Sequence, residues 1–277
     1  MKIQHFLTQL IIVTFTSHLL AQSDIQSSQI TPLIIGQKIE FHSEILDENR
    51  ILNIYLPNGY HKDSSTTYPV IYLLDGSIDE DFLHISGIVQ FGSFSWINMI
   101  PESIVVGISN IDRKKDFTFP SSVKQDQIDF PTTGSSEQFI QFIADELQPL
   151  VDNKFNTTSE KTIIGQSLGG LLATEILFKK PDLFNNYIIV SPSLWWDAES
   201  LLETIPVEYA KPKSIYVAVG KEGPVMQRTA KQLFKKIKKG NQTNSKINFK
   251  YYKAQNHRDV LHLATYDAFK VIFATEK

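Results

Sequence analysis

The chain has 277 residues, 42% hydrophobic and 21% charged, a composition that supplies a full-sized core and excludes a largely disordered or fibrous chain. Its 27 basic and 30 acidic residues give a formal net charge of −3, without the basic excess usual for a nucleic-acid binder. Cysteine is absent, which excludes disulfides, thiolate nucleophiles and cysteine-ligated metal centres.

Met1-Lys2 is followed by the apolar residues Phe6-Leu7, Leu10–Val13, Phe15 and Leu19-Leu20-Ala21, then by polar Gln22-Ser23-Asp24. A positive start, a short apolar run and a small residue before a polar segment read as a secretory signal peptide over residues 1–21. Thr8 and Gln9 interrupt the run, which is too short for a transmembrane helix, and no later segment is long and apolar enough to span a bilayer. Residues 22–277 are expected to form one exported domain, periplasmic or extracellular.

Strands are expected over Lys38–Ile45 and Arg50–Leu56. The continuous apolar runs Pro69–Leu74 and Ser103–Ile108 read as buried strands. The segment Asn110–Gly134 is long, polar and without clear period, and such loops often border functional sites. Phe139, Ile140, Phe142, Ile143, Leu147 and Leu150 recur at helical spacing in Ser135–Val151, with Ser135 and Gln138 as a capping box. Strand and helix then alternate: strands Lys161–Gly165, Asn186–Val190, Ser214–Val219 and Ile247–Ala254, helices Leu168–Phe178, Ala198–Thr204, Val225–Lys239 and Val260–Phe273. The alternation predicts an α/β fold, a mostly parallel central sheet with helices on both faces.

The sharpest chemical signal is Gly165-Gln166-Ser167-Leu168-Gly169, followed by Gly170. It lies between a predicted strand and a predicted helix, the context of a nucleophile elbow, in which a strained turn exposes a serine hydroxyl above the sheet. Ser167 is the candidate nucleophile. Its base should follow the last sheet strand, and His257 does so, whereas His42, His61 and His84 come too early and His262 falls inside the next helix. The acid should follow Ser214–Val219, where Glu222 stands. Asp197, after the preceding strand, is the second candidate, and a Ser–His dyad without a carboxylate is the third. Asp259 reads as a helix-start residue. An oxyanion hole needs two backbone N–H groups, assigned to Leu168 and Ser77. The sequence contains no H-E-x-x-H, phosphate loop or dinucleotide fingerprint, so neither a metal nor another cofactor is expected.

Further residues carry a family resemblance: Tyr68–Gly76, Val106–Asn110 with Arg113 and Asp116-Phe117-Thr118, Gly165–Gly170, Pro181–Phe184, Ser191–Trp196 and His257. With these in order, residues 36–275 resemble the α/β-hydrolase "putative esterase" family. That family includes esterase D, feruloyl and acetylxylan esterases, siderophore esterases and mycolyltransferases, and the match is nearest its siderophore-esterase branch. The resemblance implies Ser167 as nucleophile and His257 as base. It also implies that Arg113, Trp195 and Trp196 border the substrate pocket. The expected activity is hydrolysis of a siderophore or acylated-saccharide ester through an acyl-enzyme. Acyl transfer to another alcohol, or a noncatalytic binding module on the same fold, are the alternatives.

Overall fold

The computed structural model describes residues 29–240 and 244–273. The segment 1–21, read from the sequence as a signal peptide, lies outside the described residues. The chain divides into two units, 1–35 and 36–277. Of the first, residues 29–35 carry no helix or strand.

The second unit is built on eight strands: β1 (Gly36–Ser43), β2 (Glu48–Tyr55), β3 (Tyr68–Leu73), β4 (Ile104–Ile108), β5 (Thr157–Gln166), β6 (Asn186–Val190), β7 (Ser214–Gly220) and β8 (Lys246–Tyr252). They form one sheet in the order β1-β2-β4-β3-β5-β6-β7-β8. The β1–β2 and β2–β4 pairs are antiparallel and the remaining five are parallel. This is the mostly parallel sheet expected from the alternation of strand and helix, and the α/β-hydrolase arrangement that the family resemblance implies.

The central strands are apolar throughout because both faces are covered. Val70, Tyr72, Ile163, Ile189 and Val217 face one core, while Ile71, Leu73, Ile164, Ile188 and Ala218 face the other. The second core is closed by α1 (Phe82–Ser93) and by the C-terminal helix, Val260–Ile272. Helix α1 escapes the sequence reading. Its buried positions Phe82, Ile85, Ser86, Val89 and Gly92 have helical spacing, but serine and glycine dilute the apolar stripe.

The segment Asn110–Gly134 is not structureless: it carries α2 (Arg113–Phe117) and α3 (Lys124–Asp129). Asp112 caps α2 by accepting from the N–H groups of Lys114 and Lys115 at 3.1 and 3.0 Å. The helix expected over Ser135–Val151 is three pieces: α4 (Ser136–Phe142), a π-helical turn (Ile143–Leu147) and α5 (Gln148–Lys154). Ser135 stands at the N-cap, but its side chain makes no capping bond, which corrects the capping-box expectation. Helix α6 (Leu168–Lys179) is buried at every position from Gly169 to Phe178, so it has no solvent face to reveal a period. The expected helix over Ala198–Thr204 is shorter. Asp197, Ala198 and Glu199 have φ of 50°, 51° and 69°, and one α-helical turn, Ser200–Glu203, follows. Helices α7 (Pro224–Lys239) and α8 (Val260–Ile272) complete the fold. Among the described residues no helix is long and apolar enough to cross a membrane.

Candidate active site

The C-terminal ends of the parallel strands share one edge of the sheet, where ligands of open α/β folds bind. Ser167 sits there between β5 and α6 with φ 59° and ψ −119°. A non-glycine residue holds such a conformation only when its surroundings enforce it. Here they do. A Cβ at Gly165 would run into the carbonyl of Gly169, and one at Gly170 would press on Pro192 and the Val190 carbonyl. The Ser167 N–H donates to Val190 O at 3.1 Å, and its own carbonyl accepts from Ser193 N at 3.0 Å and Leu171 N at 2.9 Å. The hydroxyl therefore projects from a turn bonded on both sides, at the positive end of a helix whose first N–H groups have no intrahelical partner. Its oxygen lies 3.3 Å from Ser193 Oγ.

His257 stands on the loop between β8 and α8, with Nδ1 2.6 Å from Glu222 Oε2. An ionised carboxylate only accepts, so Nδ1 carries a proton, and in the neutral imidazole that leaves Nε2 its lone pair. The Glu222 side chain is 3% exposed against 44% for His257. Its other oxygen accepts from Ser191 Oγ at 2.5 Å and Gly220 N at 2.9 Å. Burial alone would push the Glu222 carboxyl up, but the three donors from His257, Ser191 and Gly220 hold it below the ordinary carboxylate value. Asp197 is engaged elsewhere. Its carboxylate accepts from Ser122 N at 2.6 Å, Ser122 Oγ at 2.7 Å and Ser200 Oγ at 2.6 Å, pinning the 121–122 loop. Asp259 accepts from Asn256 N at 2.7 Å at the start of α8. His262 stacks on His84, ring centres 3.6 Å apart, between α8 and α1.

The loop after β3 comes close to the elbow. Asp75 has φ 55°, and Gly76 packs so tightly on Gly107 that a Cβ would not fit. Arg113, from α2, holds Asp75 with both ends of its fork: Nε to Oδ1 at 2.5 Å and Nη2 to Oδ2 at 2.9 Å. Its Nη2 also donates to the carbonyl of Gln166 at 3.2 Å. The Gln166 side chain in turn donates to the carbonyl of His257 at 2.5 Å. One chain of bonds thus links the loops after β3, β5 and β8. Ser77 places its N–H 3.3 Å from Glu80 Oε2, and Leu168 is the first residue of α6.

Two hollows of about 380 and 340 Å³ flank Ser167 and His257, both of which line each of them. The first is completed by Ser193, Trp195, Lys221, Glu222, Met226, Asn256 and Arg258. The second takes in Asp75, Glu80, Asp81, Arg113, Gln166 and Arg258. Trp196 lines neither: it is 1% exposed, and its indole N–H donates to Phe119 O at 2.8 Å. The expectation is therefore not met for Trp196, while Trp195 lines the first hollow beside Ser167. Sequence reasoning passed over Gln166, Ser191, Ser193, Glu80, Lys221 and Arg258. The available signal was position: each lies at or just beyond the C-terminal end of a strand or in the loop after it. Among the described residues no group of three or more His, Asp or Glu side chains is arranged to hold a metal ion.

The family model described as "Putative esterase" matches residues 43–273. Ferri-bacillibactin esterase BesA of Bacillus subtilis (strain 168) is 26% identical over 238 residues, 78% of this chain and 82% of the relative. An IroE-like serine hydrolase from Shewanella oneidensis superposes with a TM-score of 0.76 at 28% identity, covering 85% of this chain and 79% of its own. BES protein from Bacillus cereus superposes with a TM-score of 0.75 at 26% identity, covering 91% and 99%.

Proposed function

Since the chain belongs to the "Putative esterase" family and is a carboxylic ester hydrolase, we propose that it works as an exported serine esterase through Ser167, His257 and Glu222. The observation that carries this reading is the 2.6 Å contact between Glu222 and His257 Nδ1, beside a serine held at φ 59°.

Ser167 Oγ attacks the ester carbonyl carbon as His257 Nε2 takes its proton. The carbonyl oxygen becomes an oxyanion received by the N–H groups of Leu168 and Ser77. Glu222 holds the Nδ1 tautomer and stabilises the imidazolium. On collapse the C–O bond to the alcohol breaks, His257 protonates the departing oxygen, and the acyl group remains on Ser167. Water then attacks the acyl carbon as His257 takes its proton, the bond from that carbon to Ser167 Oγ breaks, and His257 returns the proton to Oγ as the acid leaves. The contact of Ser167 Oγ with Ser193 belongs to the resting site. Catalytic hydrogen bonds tighten when substrate is bound.

For the substrate we infer a siderophore ester, with Arg113 and Trp195 at the pocket wall. Two things support this reading: the relative named for ferri-bacillibactin hydrolysis, and the exposed cations Lys221 and Arg258 beside Ser167, which suit an anionic chelate. The start of the sequence supports export. A fluorophosphonate should label Ser167 in the wild type and leave Ser167→Ala unlabelled, folded and lower in turnover by several orders of magnitude. Equal turnover in the variant would overturn the mechanism. A triscatecholate should be cleaved faster than feruloyl esters, acetylated xylan or p-nitrophenyl esters, and any other ranking would overturn the substrate assignment alone.

A further inference from the structure

The loop after β3 holds a carboxylate on a donor needed for the reaction. Ser77 N–H faces Glu80 Oε2 at 3.3 Å, while Glu80 N donates to Ser77 O at 3.1 Å and closes the turn. Only the glutamate half of an S-x-x-E box is made: the Glu80 side chain folds back over the Ser77 N–H, while Glu80 N–H goes to the Ser77 carbonyl rather than to its hydroxyl. Asn110 Nδ2 steadies the same carboxylate at 3.1 and 3.2 Å and reaches Asp75 Oδ1 at 2.8 Å. Glu80 is solvent-exposed and lines the second hollow together with Ser167 and His257. Rotation of its side chain toward water would therefore release Ser77 N–H without disturbing the core.

We propose that Glu80 is a gate on the oxyanion hole: its carboxylate occupies the Ser77 N–H at rest and swings away before an ester carbonyl is received there. The inference rests on Ser77 as an oxyanion donor in the serine mechanism above. A carboxylate oxygen is the natural stand-in for an oxyanion, because both present concentrated negative charge to the same N–H. Every ester must displace it. An ester with hydroxyl or amide N–H groups next to its carbonyl gives Glu80 a new partner as it leaves, and a plain alkyl ester does not. Glu80 thus becomes a specificity-determining residue favouring acyl groups rich in hydrogen-bond donors.

The test uses the full-length protein, Glu80→Ala and Glu80→Gln. If the closed arrangement holds about two thirds to nine tenths of the molecules, emptying the donor raises apparent affinity about three- to tenfold. Glu80→Ala should raise kcat/KM for p-nitrophenyl acetate by that factor and lower the Ki of phenylboronic acid equally. The gain should be smaller for p-nitrophenyl 3-hydroxybutyrate. Glu80→Gln keeps the side-chain length and weakens the acceptor, so it should move both quantities in the same direction but less far. That guards against an alanine that merely loosens the turn. A fall in kcat/KM together with a rise in Ki for both variants would overturn the gate and make Glu80 a structural cap. Unchanged values in folded variants, with wild-type fluorophosphonate labelling of Ser167, would overturn the gate alone. Absence of labelling in the wild type would overturn the serine mechanism and the gate together.

Discussion

Replacing Glu222 by glutamine is the most discriminating perturbation of the site, because the surroundings dictate how the amide must sit. Two donors, Ser191 Oγ and Gly220 N, face one end of the carboxylate, and His257 Nδ1 faces the other. The amide oxygen must go to the Gly220 N–H, which cannot accept. The amide NH2 then faces Nδ1 and forces it to become an acceptor, so the imidazole proton moves to Nε2, which in the proposed mechanism must be free to receive the proton of Ser167. A wrong-tautomer exchange of this kind in a serine triad lowers kcat by about 10⁴, equivalent to about 5 kcal/mol of transition-state stabilisation. KM should change far less, since the Glu222 side chain is 3% exposed and has its bonds inside the protein. Initial rates with p-nitrophenyl butyrate at pH 8 give kcat and KM, and the downfield Nδ1 proton in the NMR spectrum reports the tautomer. A loss in kcat below about tenfold, with that proton signal gone, would refute the account, because orientation by the carboxylate would then contribute little to the rate.

Asp197→Asn should lower stability by about 1–3 kcal/mol through weakened bonds from Ser122 and Ser200, while turnover of the folded protein stays within about threefold. Burial would raise the Asp197 carboxyl, but the hydrogen bonds from Ser200, Ser122 and Ser121 outweigh it and hold it below the ordinary aspartate value. Its stabilisation is therefore present above the ordinary carboxylate range and lost as pH falls through the lowered folded value, which urea titrations of wild type and variant at pH 3 and pH 7 would show. Asp81 behaves oppositely, its pKa pushed up to about 6 by burial and then by Asp75 and Glu80. Its charge opposes folding above that pH, so Asp81→Asn should stabilise by on the order of 1 kcal/mol at pH 8 after solvent screening. The gain should vanish below about pH 4, and an equal gain at both pH values would point to another cause. His257→Ala should fall as far as Ser167→Ala, whereas His262→Ala, which loses only a stack on His84, should keep turnover within about threefold.

The strand–turn–helix around Ser167 is legible in sequence because its constraint is local. Two glycines are required where strand and helix back onto each other, and the apolar runs beside them have no competing reading. The sheet is legible for a similar reason: runs such as Pro69–Leu74 are buried on both faces. Helix α1 is not, since Ser86, Gly87 and Gly92 interrupt its pattern and the helix is specified by packing of Phe82, Ile85 and Val89 against the sheet and α8. The order of residues along the chain places Glu222 after β7 and His257 after β8, but not the 2.6 Å between them, which depends on how those two loops fold. Ser191 and Gln166 are invisible for that reason, since one meets a residue 31 positions away and the other a residue 91 away. Trp195 and Trp196 differ only in which way one tight turn points them.

The link from Asp75 through Arg113 and Gln166 to His257 has a consequence for when the disorder of these loops is lost. Fixing a residue's backbone costs on the order of 1–2 kcal/mol of entropy, and three separate loops contribute to this site. Because each is bonded to the next within the protein, that cost falls on folding. An ester then meets Ser167 and His257 loops that are already ordered, and binding bears little of the cost of arranging them. Cutting the link at Gln166 would shift the same entropy onto the binding step, leaving the contact of Glu222 with His257 in place but making each productive encounter rarer.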